Sequence, residues 1–211
     1  MSIILWLIMT YFIAAVPFSY IVLRIFFNGD IRDYGSGNAG ATNFYRVTKK
    51  VFNSKFSLPG TIIVALLDMA KGFFPVFFLP NILSGELITV NEIAVYQIIC
   101  GIVAIIAHVF PIYLRFRGGK GVLTAGGVVL ALTPAASVFV VILVFVMIAV
   151  IRIVSISSLI GAVLYPLSVY YFYYEDSVYY FYFSLFCAFF IILTHRENIK
   201  RIIQGTEKKL F

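Results

Sequence analysis

Long apolar stretches separated by short polar turns run through this chain. An apolar stretch of about 18 residues or more is long enough to cross the roughly 30 Å hydrocarbon layer of a bilayer as an α-helix. The predicted spans cover, in order, about residues 3–27, 59–79, 92–114, 115–133, 134–154, 155–174 and 178–194. The pattern therefore predicts an all-α, polytopic membrane protein with about seven transmembrane helices in a single domain, 1–211.

The charge pattern assigns a side of the membrane to each turn. Seven crossings bring nearly all of the 16 lysines and arginines to one face, and only Lys71 lies deep in a predicted span. The turns on the other face, around Glu86 and Glu175, contain no lysine or arginine. Because cytoplasmic loops carry an excess of these residues, we expect the N-terminus outside and the C-terminus in the cytoplasm. The short fourth crossing is kept because the basic residues would otherwise scatter over both faces.

Composition excludes an ordinary soluble domain. Of the 211 residues, 62% are hydrophobic and only 12% are charged, and the mean hydropathy is +1.03. Any active site must therefore lie in short turns or between helices. The net charge of +7 fits the positive-inside pattern and attraction to membrane lipids and anionic substrates. No nucleic-acid surface and no obligate protein partner are expected.

The most polar turn extends from Asp30 to Arg46 and is rich in glycine. Gly35, Gly37 and Gly40 allow tight turns whose backbone N–H groups can point at one anion. Short donors and positive charge surround these glycines, from Ser36, Asn38, Thr42, Asn43, Arg32 and Arg46. The turn predicts a phosphate site, and a flexible linker between two helices is the alternative. Its G-x-G-x-x-G spacing does not indicate a dinucleotide site, because an apolar span and not a strand precedes it.

A second polar turn lies on the same predicted face. Gly118, Gly119 and Gly121 flank Lys120 there. The glycines allow a close backbone approach, and the ammonium group of the lysine can reach a bound oxyanion. The alternative is a set of basic residues that anchor a helix end at the lipid headgroups.

A third polar turn begins at His195, where the last predicted span ends. On a helix, His195, Asn198 and Arg201 fall on one face at i, i+3 and i+6. This arrangement predicts a further part of the same site. An amphipathic tail that lies on the membrane surface is the alternative.

A few polar residues lie inside the predicted spans. Asp68 and Lys71 stand at i and i+3, and ionisable groups at membrane depth are costly unless they are paired or functional. We expect a structural ion pair, with a role in lining the site as the alternative. The hydroxyl groups of Ser155, Ser157 and Ser158 either join the site or bond only to the helix backbone.

Together these turns resemble those of the bacterial acyl-phosphate:glycerol-3-phosphate acyltransferases, the PlsY family. The resemblance covers nearly the whole chain and depends on the order and spacing of separated motifs. The motifs lie at residues 30–43, 67–72, 108–122 and 195–207. Departures are small: Ala39, Arg117 and Thr194 stand where proline, lysine and a basic residue are common. None of them removes a donor from the expected site, although Ala39 can loosen the first turn.

The resemblance implies transfer of a fatty acyl group from acyl phosphate to the 1-hydroxyl of sn-glycerol 3-phosphate. The products would be lysophosphatidic acid and phosphate, in the first step of bacterial phospholipid synthesis at the inner membrane. The site would face the cytoplasm, and neither a cofactor nor a metal is implied. Counting on from His108 or His195 reaches Tyr113 or Lys200, where the common His-x4-Asp acyltransferases carry aspartate.

The resemblance and the chemistry of the turns together nominate site residues. Ser36, Lys120, His195 and Asn198 are expected to be catalytic. Substrates are expected to contact Gly35, Gly37, Asn38, Gly40, Ala41, Thr42, Asn43, Arg46, Gly118, Gly119, Gly121 and Ser158. We expect direct attack on the acyl phosphate and not an acyl-enzyme. His195 is either the general base or only a phosphate ligand.

The acyl tail is expected to lie in a groove between spans that is open to the bilayer, where the small residues 125–127 make room. Two other functions fit a membrane-embedded phosphate site. One is a transporter of phosphate or an organophosphate, and the other is a non-catalytic lipid-binding scaffold. The transporter fits less well, because transporters commonly show internal repeats and no duplicated half is visible here.

Overall fold

The computed structural model describes residues 2–79, 82, 89–173 and 178–210 of the chain. Within these ranges the regular secondary structure is helical and no strand occurs, which confirms the all-α prediction. The α-helices are α1 Ile3–Ala14, α2 Phe18–Phe27, α3 Ala41–Lys50, α4 Ser57–Phe77, α5 Val90–Val109, α6 Val122–Leu132, α7 Pro134–Ile151, α8 Val154–Tyr173, α9 Val178–Thr194 and α10 Arg196–Ile203. The turns predicted around Glu86 and Glu175 lie outside the described residues.

The multi-pass architecture predicted from the apolar stretches is confirmed. In the described ranges, the segments long and apolar enough to cross a membrane are Ile3–Phe27, Ser57–Phe77, Glu92–Leu114, Pro134–Ile151 and Val154–Tyr173. Helix α9 adds a sixth when it is taken together with α10, from which it is bent by 63°. The predicted fourth span is a shorter helix than expected. Helix α6 has 11 residues, so it extends about 16 Å at 1.5 Å per residue.

The first span is broken between α1 and α2. Pro17 cannot donate a backbone hydrogen bond, and the chain leaves the helical conformation there, at φ −93° and ψ 80°. Backbone carbonyls that a break releases in a membrane need another partner. The ammonium of Lys71 supplies one, because its Nζ donates to the carbonyl oxygen of Val16 at 2.7 Å.

Lys71 also forms the ion pair expected within the second predicted span. Its Nζ lies 2.8 Å from Oδ1 of Asp68, and the two side chains are only 3% and 2% exposed. Nδ1 of His108, on α5, lies 3.8 Å from the same carboxylate oxygen. The pair therefore ties α4 to the break in the first span and lies beside the end of α5.

Two glycines let α4 and α6 cross at close range. A Cβ added at Gly72 would collide with the backbone carbonyl of Thr124, and one added at Gly127 would collide with that of Met69. Small residues are common where membrane helices approach so closely. Gly127 was expected to widen a groove for the acyl tail. That expectation is wrong for this residue, because its missing side chain makes room for α4.

A separate apolar cluster holds the glycine-rich turn in place. Helix α3 follows that turn and buries Phe44 and Val47, at i and i+3, so that they are 0% and 1% exposed. They pack with Leu23 of α2, Ile31 and Val64 of α4. The first turn of α3 is thereby fixed against two membrane helices.

Candidate active site

The three polar turns meet at one cavity of about 560 Å³. The glycine-rich turn, the turn before α6 and the end of α9 all contribute to its wall, together with the C-terminal tail. The polar side chains at this end belong to Ser36, Asn38, Thr42, Asn43, Arg46, Lys120, Ser155, Ser158, His195, Asn198 and Glu207. Residues that lie far apart in the sequence therefore face one cavity.

The glycine-rich turn presents the N-terminus of α3 to the cavity. Gly40 is the N-cap and offers no capping side chain, and Gly40, Ala41 and Thr42 line the cavity wall. The first backbone N–H groups of a helix have no partner within the helix, and the helix dipole is positive at that end. Such an end is suited to bind phosphate.

Asn43 holds this turn in shape from within. Its Oδ1 accepts a hydrogen bond from the backbone N–H of Ser36 at 2.9 Å, and its Nδ2 donates to the carbonyls of Tyr34 and Ile31 at 3.2 and 3.3 Å. Gly35 lies directly above this side chain, at φ 65°. Both polar atoms of the amide are therefore engaged with backbone, although the residue also lines the cavity.

The glycines beside Lys120 serve packing. A Cβ at Gly118 would collide with the carbonyl of His108, and one at Gly119 would collide with the imidazole ring of the same residue. Gly119 also donates its N–H to the His108 carbonyl at 3.2 Å. Of the glycines in this turn, Gly121 lines the cavity, whereas Gly118 and Gly119 do not. Gly35 and Gly37 of the first turn do not line it either.

Two contacts join the Lys120 turn to the other polar turns. Nδ2 of Asn38 donates to the carbonyl of Gly118 at 3.4 Å. Thr194, at the end of α9, donates its hydroxyl to the carbonyl of Lys120 at 3.1 Å. The backbone on both sides of the lysine is thus held by the two turns that it faces.

A hydrogen-bond network centred on Glu207 fixes the polar end. Nζ of Lys120 donates to Oδ1 of Asn198, and Nδ2 of Asn198 donates to Oε1 of Glu207 at 2.6 Å. The same Oε1 accepts from the hydroxyl of Ser155 at 2.7 Å, and Oε2 accepts from Nε of Arg201 at 2.6 Å. The five residues of the network come from the turn before α6, from α8, from α10, which contributes two, and from the tail.

The C-terminal tail folds back over this network. Arg46 donates from Nη2 to the carbonyl of Lys208 at 2.9 Å, and Leu210 donates its N–H to the carbonyl of Arg152 at 2.8 Å. Glu207 and Leu210 both line the cavity. The tail therefore forms one wall of the site.

The cationic groups at the polar end outnumber the acidic ones. Arg46, Lys120 and Arg201 lie around the carboxylate of Glu207. Nε of Arg46 is buried and has no hydrogen-bond partner among the described residues. Burial also lowers the pKa of Arg46. An anion is the partner that such an excess of buried donors requires.

Burial lowers the pKa values of Lys120 and His195, the two central groups of the polar end. It lowers the pKa of Lys120 to about 8, an effect that Glu207 opposes and the neighbouring arginines reinforce. It also lowers the pKa of His195 to about 4, with a further contribution from the charge of Lys120. Nδ1 of His195 lies 2.8 Å from the carbonyl of Ile191. Because a carbonyl can only accept, Nδ1 carries the proton and Nε2 is left as an acceptor.

From the polar end the cavity continues as an apolar groove between helices. Small and aliphatic side chains line it, from Ala125, Gly126, Val129, Val140, Val144, Gly161, Ala162, Ala188 and Ile191. Ala125 and Gly126 line the groove as expected of residues 125–127. The far end of the groove lies at Ser137, Tyr165 and Cys187.

Some residues of the cavity wall were not predicted from the sequence. Glu207 and His108 entered the prediction only within the motifs at residues 195–207 and 108–122, and Asp68 only through the alternative that it lines the site. Tyr165 was not predicted to belong to the site. A charged or imidazole side chain within an apolar span was the available signal for Asp68 and His108. Tyr165 carries no such signal, because the surrounding span is rich in tyrosine and phenylalanine.

Comparison with known proteins identifies the family. The family model for glycerol-3-phosphate acyltransferase matches residues 4–205. A glycerol-3-phosphate acyltransferase of Staphylococcus haemolyticus is 40% identical over 213 aligned positions, which cover 100% of this chain and 98% of that protein. Glycerol-3-phosphate acyltransferase 2 of Bacillus anthracis is 42% identical over 212 positions, with 98% of each chain covered. The chain belongs to the glycerol-3-phosphate acyltransferase family.

Solved structures of a family member share the fold. The crystal structure of PlsY (YgiH), an integral membrane glycerol 3-phosphate acyltransferase, matches in its glycerol 3-phosphate form with a TM-score of 0.83 and 27% identity. That match covers 99% of this chain and 96% of the other. The lysophosphatidic acid form matches with a TM-score of 0.81, 26% identity and coverage of 99% and 95%. The resemblance to the PlsY family noted from the motifs is confirmed.

The lowered pKa of Lys120 predicts that the activity of this acyltransferase falls at alkaline pH. Burial lowers its pKa to about 8, so the charged form that attracts phosphate is present below about pH 8 and is lost as pH rises through that value. kcat/KM for glycerol 3-phosphate reports groups of the free enzyme, and it should fall about tenfold per pH unit on the alkaline side. Lys120→Arg stays charged at every working pH, so its profile should lack this fall. An alkaline fall retained in Lys120→Arg would assign it to another group.

Proposed function

We propose that this protein transfers a fatty acyl group from acyl phosphate to the 1-hydroxyl of glycerol 3-phosphate. The hydroxyl oxygen attacks the acyl carbonyl carbon, and the bond from that carbon to the phosphate oxygen breaks. The products are 1-acylglycerol 3-phosphate, which is lysophosphatidic acid, and inorganic phosphate. The reaction needs no acyl-enzyme, because an acyl phosphate already carries a good leaving group and requires mainly positioning and charge stabilisation.

One observation carries the proposal: a cationic pocket and an apolar groove form a single cavity. The polar end offers a helix N-terminus and buried cationic groups, which suit phosphate. The groove beyond it is lined by small and aliphatic side chains, which suit an acyl chain. Membership of the family indicates glycerol 3-phosphate as the acceptor. The proposal adds acyl phosphate as the donor.

The two phosphate groups are assigned to different walls of the polar end. Ser36, Asn38 and the first turn of α3 are proposed to hold the phosphate of the acyl donor, next to the start of the groove. Arg46 and Lys120 are proposed to hold the phosphate of the acceptor. Asn198 is proposed to position the ammonium of Lys120, since it accepts a hydrogen bond from that group. Ser158 lines the same cavity and is proposed to contact the substrates there.

His195 is proposed to orient the attacking hydroxyl. Nε2 is an acceptor in the tautomer that the Ile191 carbonyl selects, so it can take a hydrogen bond from the 1-hydroxyl. With a pKa of about 4, the imidazole is a weaker base than a phosphate dianion, whose conjugate acid has a pKa of about 6. The departing phosphate is therefore proposed to receive the proton.

The polar end is proposed to face the cytoplasm across the inner membrane. The basic turns all lie on that side in the predicted topology, and glycerol 3-phosphate is too highly charged to cross the bilayer unaided. A substrate supplied from inside the cell must then enter from that face. The tail, which contributes Glu207 and Leu210 to the cavity wall, lies at the same end of the cavity.

The function is tested with purified protein in oriented vesicles. Release of phosphate from a long-chain acyl phosphate should require glycerol 3-phosphate and should yield one lysophosphatidic acid per phosphate. Vesicles with the cytoplasmic face outward should consume glycerol 3-phosphate added outside, and vesicles of the opposite orientation should not. Asn198→Ala should lose most activity, whereas Lys200→Ala, on the exposed side of the same helix, should keep it. Uptake of glycerol 3-phosphate without phosphate release would contradict the proposal and favour a transporter.

His195→Gln separates an orienting role from a general base. The glutamine amide oxygen can still accept a hydrogen bond, so KM for glycerol 3-phosphate should rise while kcat falls less than about tenfold. Loss of a general base typically costs about 10² to 10⁴ in rate. Steady-state kinetics at pH 7 therefore distinguish the two roles. A fall in kcat of about 100-fold or more, with KM unchanged, would show that His195 takes the proton itself.

A further inference from the structure

The apolar groove runs in one direction from the polar end, along three helices. On α6 its wall passes from the Lys120 turn through Gly126 to Val129. On α8 it passes from Ser158 to Tyr165, a distance of about 10 Å along the helix axis at 1.5 Å per residue. The wall on α9 likewise leads away from His195. An acyl chain whose carbonyl lies at the polar end would therefore extend toward Tyr165.

Buried hydrogen bonds close the far end of the groove. Oη of Tyr165 lies 2.8 Å from Oγ1 of Thr133, which itself donates to the carbonyl of Val129 at 3.1 Å. Ser137 donates its hydroxyl to the carbonyl of Thr133 at 2.7 Å. Tyr165 is 5% exposed and Thr133 is fully buried. Because buried polar groups are costly to separate from their partners, this end resists displacement by an apolar chain.

We infer that the closed end formed by Tyr165, Thr133 and Ser137 sets the length of acyl chain that the protein transfers. The inference rests on the proposed function and adds the specificity of its acyl donor. Each methylene that enters the groove improves affinity by about fourfold. The gain stops when the terminal methyl reaches Tyr165, since a longer chain must separate the hydroxyl of Tyr165 from Thr133 or bend out of the groove. kcat/KM should therefore rise with chain length to a maximum and then fall.

Gly126 gives a direct way to shorten the groove. No atom lies within 4 Å of a Cβ built on Gly126, and the residue lines the cavity. The neighbouring Gly127 differs, because a Cβ there would collide with the carbonyl of Met69. A side chain at position 126 therefore enters the space proposed for the acyl chain without disturbing the crossing of α4 and α6.

The first test is Gly126→Leu assayed with acyl phosphates of increasing chain length. The ratio of kcat/KM for long-chain donors to that for acetyl phosphate should fall at least tenfold, because several methylenes lose their place at about fourfold each. KM for glycerol 3-phosphate and the rate with acetyl phosphate should stay near the wild-type values. Gly126→Ala is the matched control and should change the ratio much less. A uniform loss over all chain lengths, or an unchanged ratio, would overturn the inference.

The second test removes the closed end. Tyr165→Ala should move the maximum of kcat/KM to longer chains. Tyr165→Phe, which keeps the volume of the ring but loses the hydrogen bond to Thr133, should move the maximum less far. Thermal unfolding in detergent shows whether each variant is folded. A wild-type profile without a maximum, or a maximum unmoved in folded Tyr165→Ala, would mean that the chain leaves the groove sideways into the bilayer. Wild-type protein inactive with every donor would instead refute the proposed function.

Discussion

The carboxylate of Glu207 is the interaction on which the geometry of the site depends. Its side chain is only 5% exposed, and it accepts hydrogen bonds from Ser155, Asn198 and Arg201. Burial raises its pKa, but these hydrogen bonds together outweigh that effect and lower it, so the group is ionised at neutral pH. Through Asn198 the carboxylate also positions Lys120. One anion thus offsets part of a cationic cluster and leaves the remainder for the phosphate groups of the substrates.

The membrane explains why the polar chemistry gathers at one end of the helices. Backbone groups within the hydrocarbon layer must be satisfied internally, and the break at Val16 meets this need through Lys71. The neutralising partner of Lys71 is Asp68, so even the charge at depth serves the fold. The charged groups that are proposed to contact water-soluble substrates lie in the turns. The groove between the helices is apolar, like the interior of the bilayer, and an acyl chain requires an apolar lining.

The sequence predicts which polar turns form the site, but it does not predict the role of each residue within them. Gly118 and Gly119 were expected to contact a phosphate, yet they make room for His108. The sequence shows that a glycine lacks a Cβ, but it does not show which group occupies that space. Asn43 was expected to bind substrate, and its amide is instead engaged with the backbone of its own turn. The predicted fourth span ended correctly before Pro134, but it began too early, because α6 begins only at Val122. Glu207 follows a turn without any periodic pattern, so only the family motif drew attention to it.

The central claim is that turns distant in the sequence form one phosphate pocket, and calorimetric binding of glycerol 3-phosphate without acyl donor tests it most directly. Arg46 follows the first turn and Asn198 the last, and both line the same cavity. Hydrogen bonds to charged groups are worth about 1.5–3 kcal/mol. We therefore expect one binding site per chain, with an affinity that is about tenfold or more weaker in both Arg46→Ala and Asn198→Ala. Wild-type affinity in either variant would contradict a shared pocket.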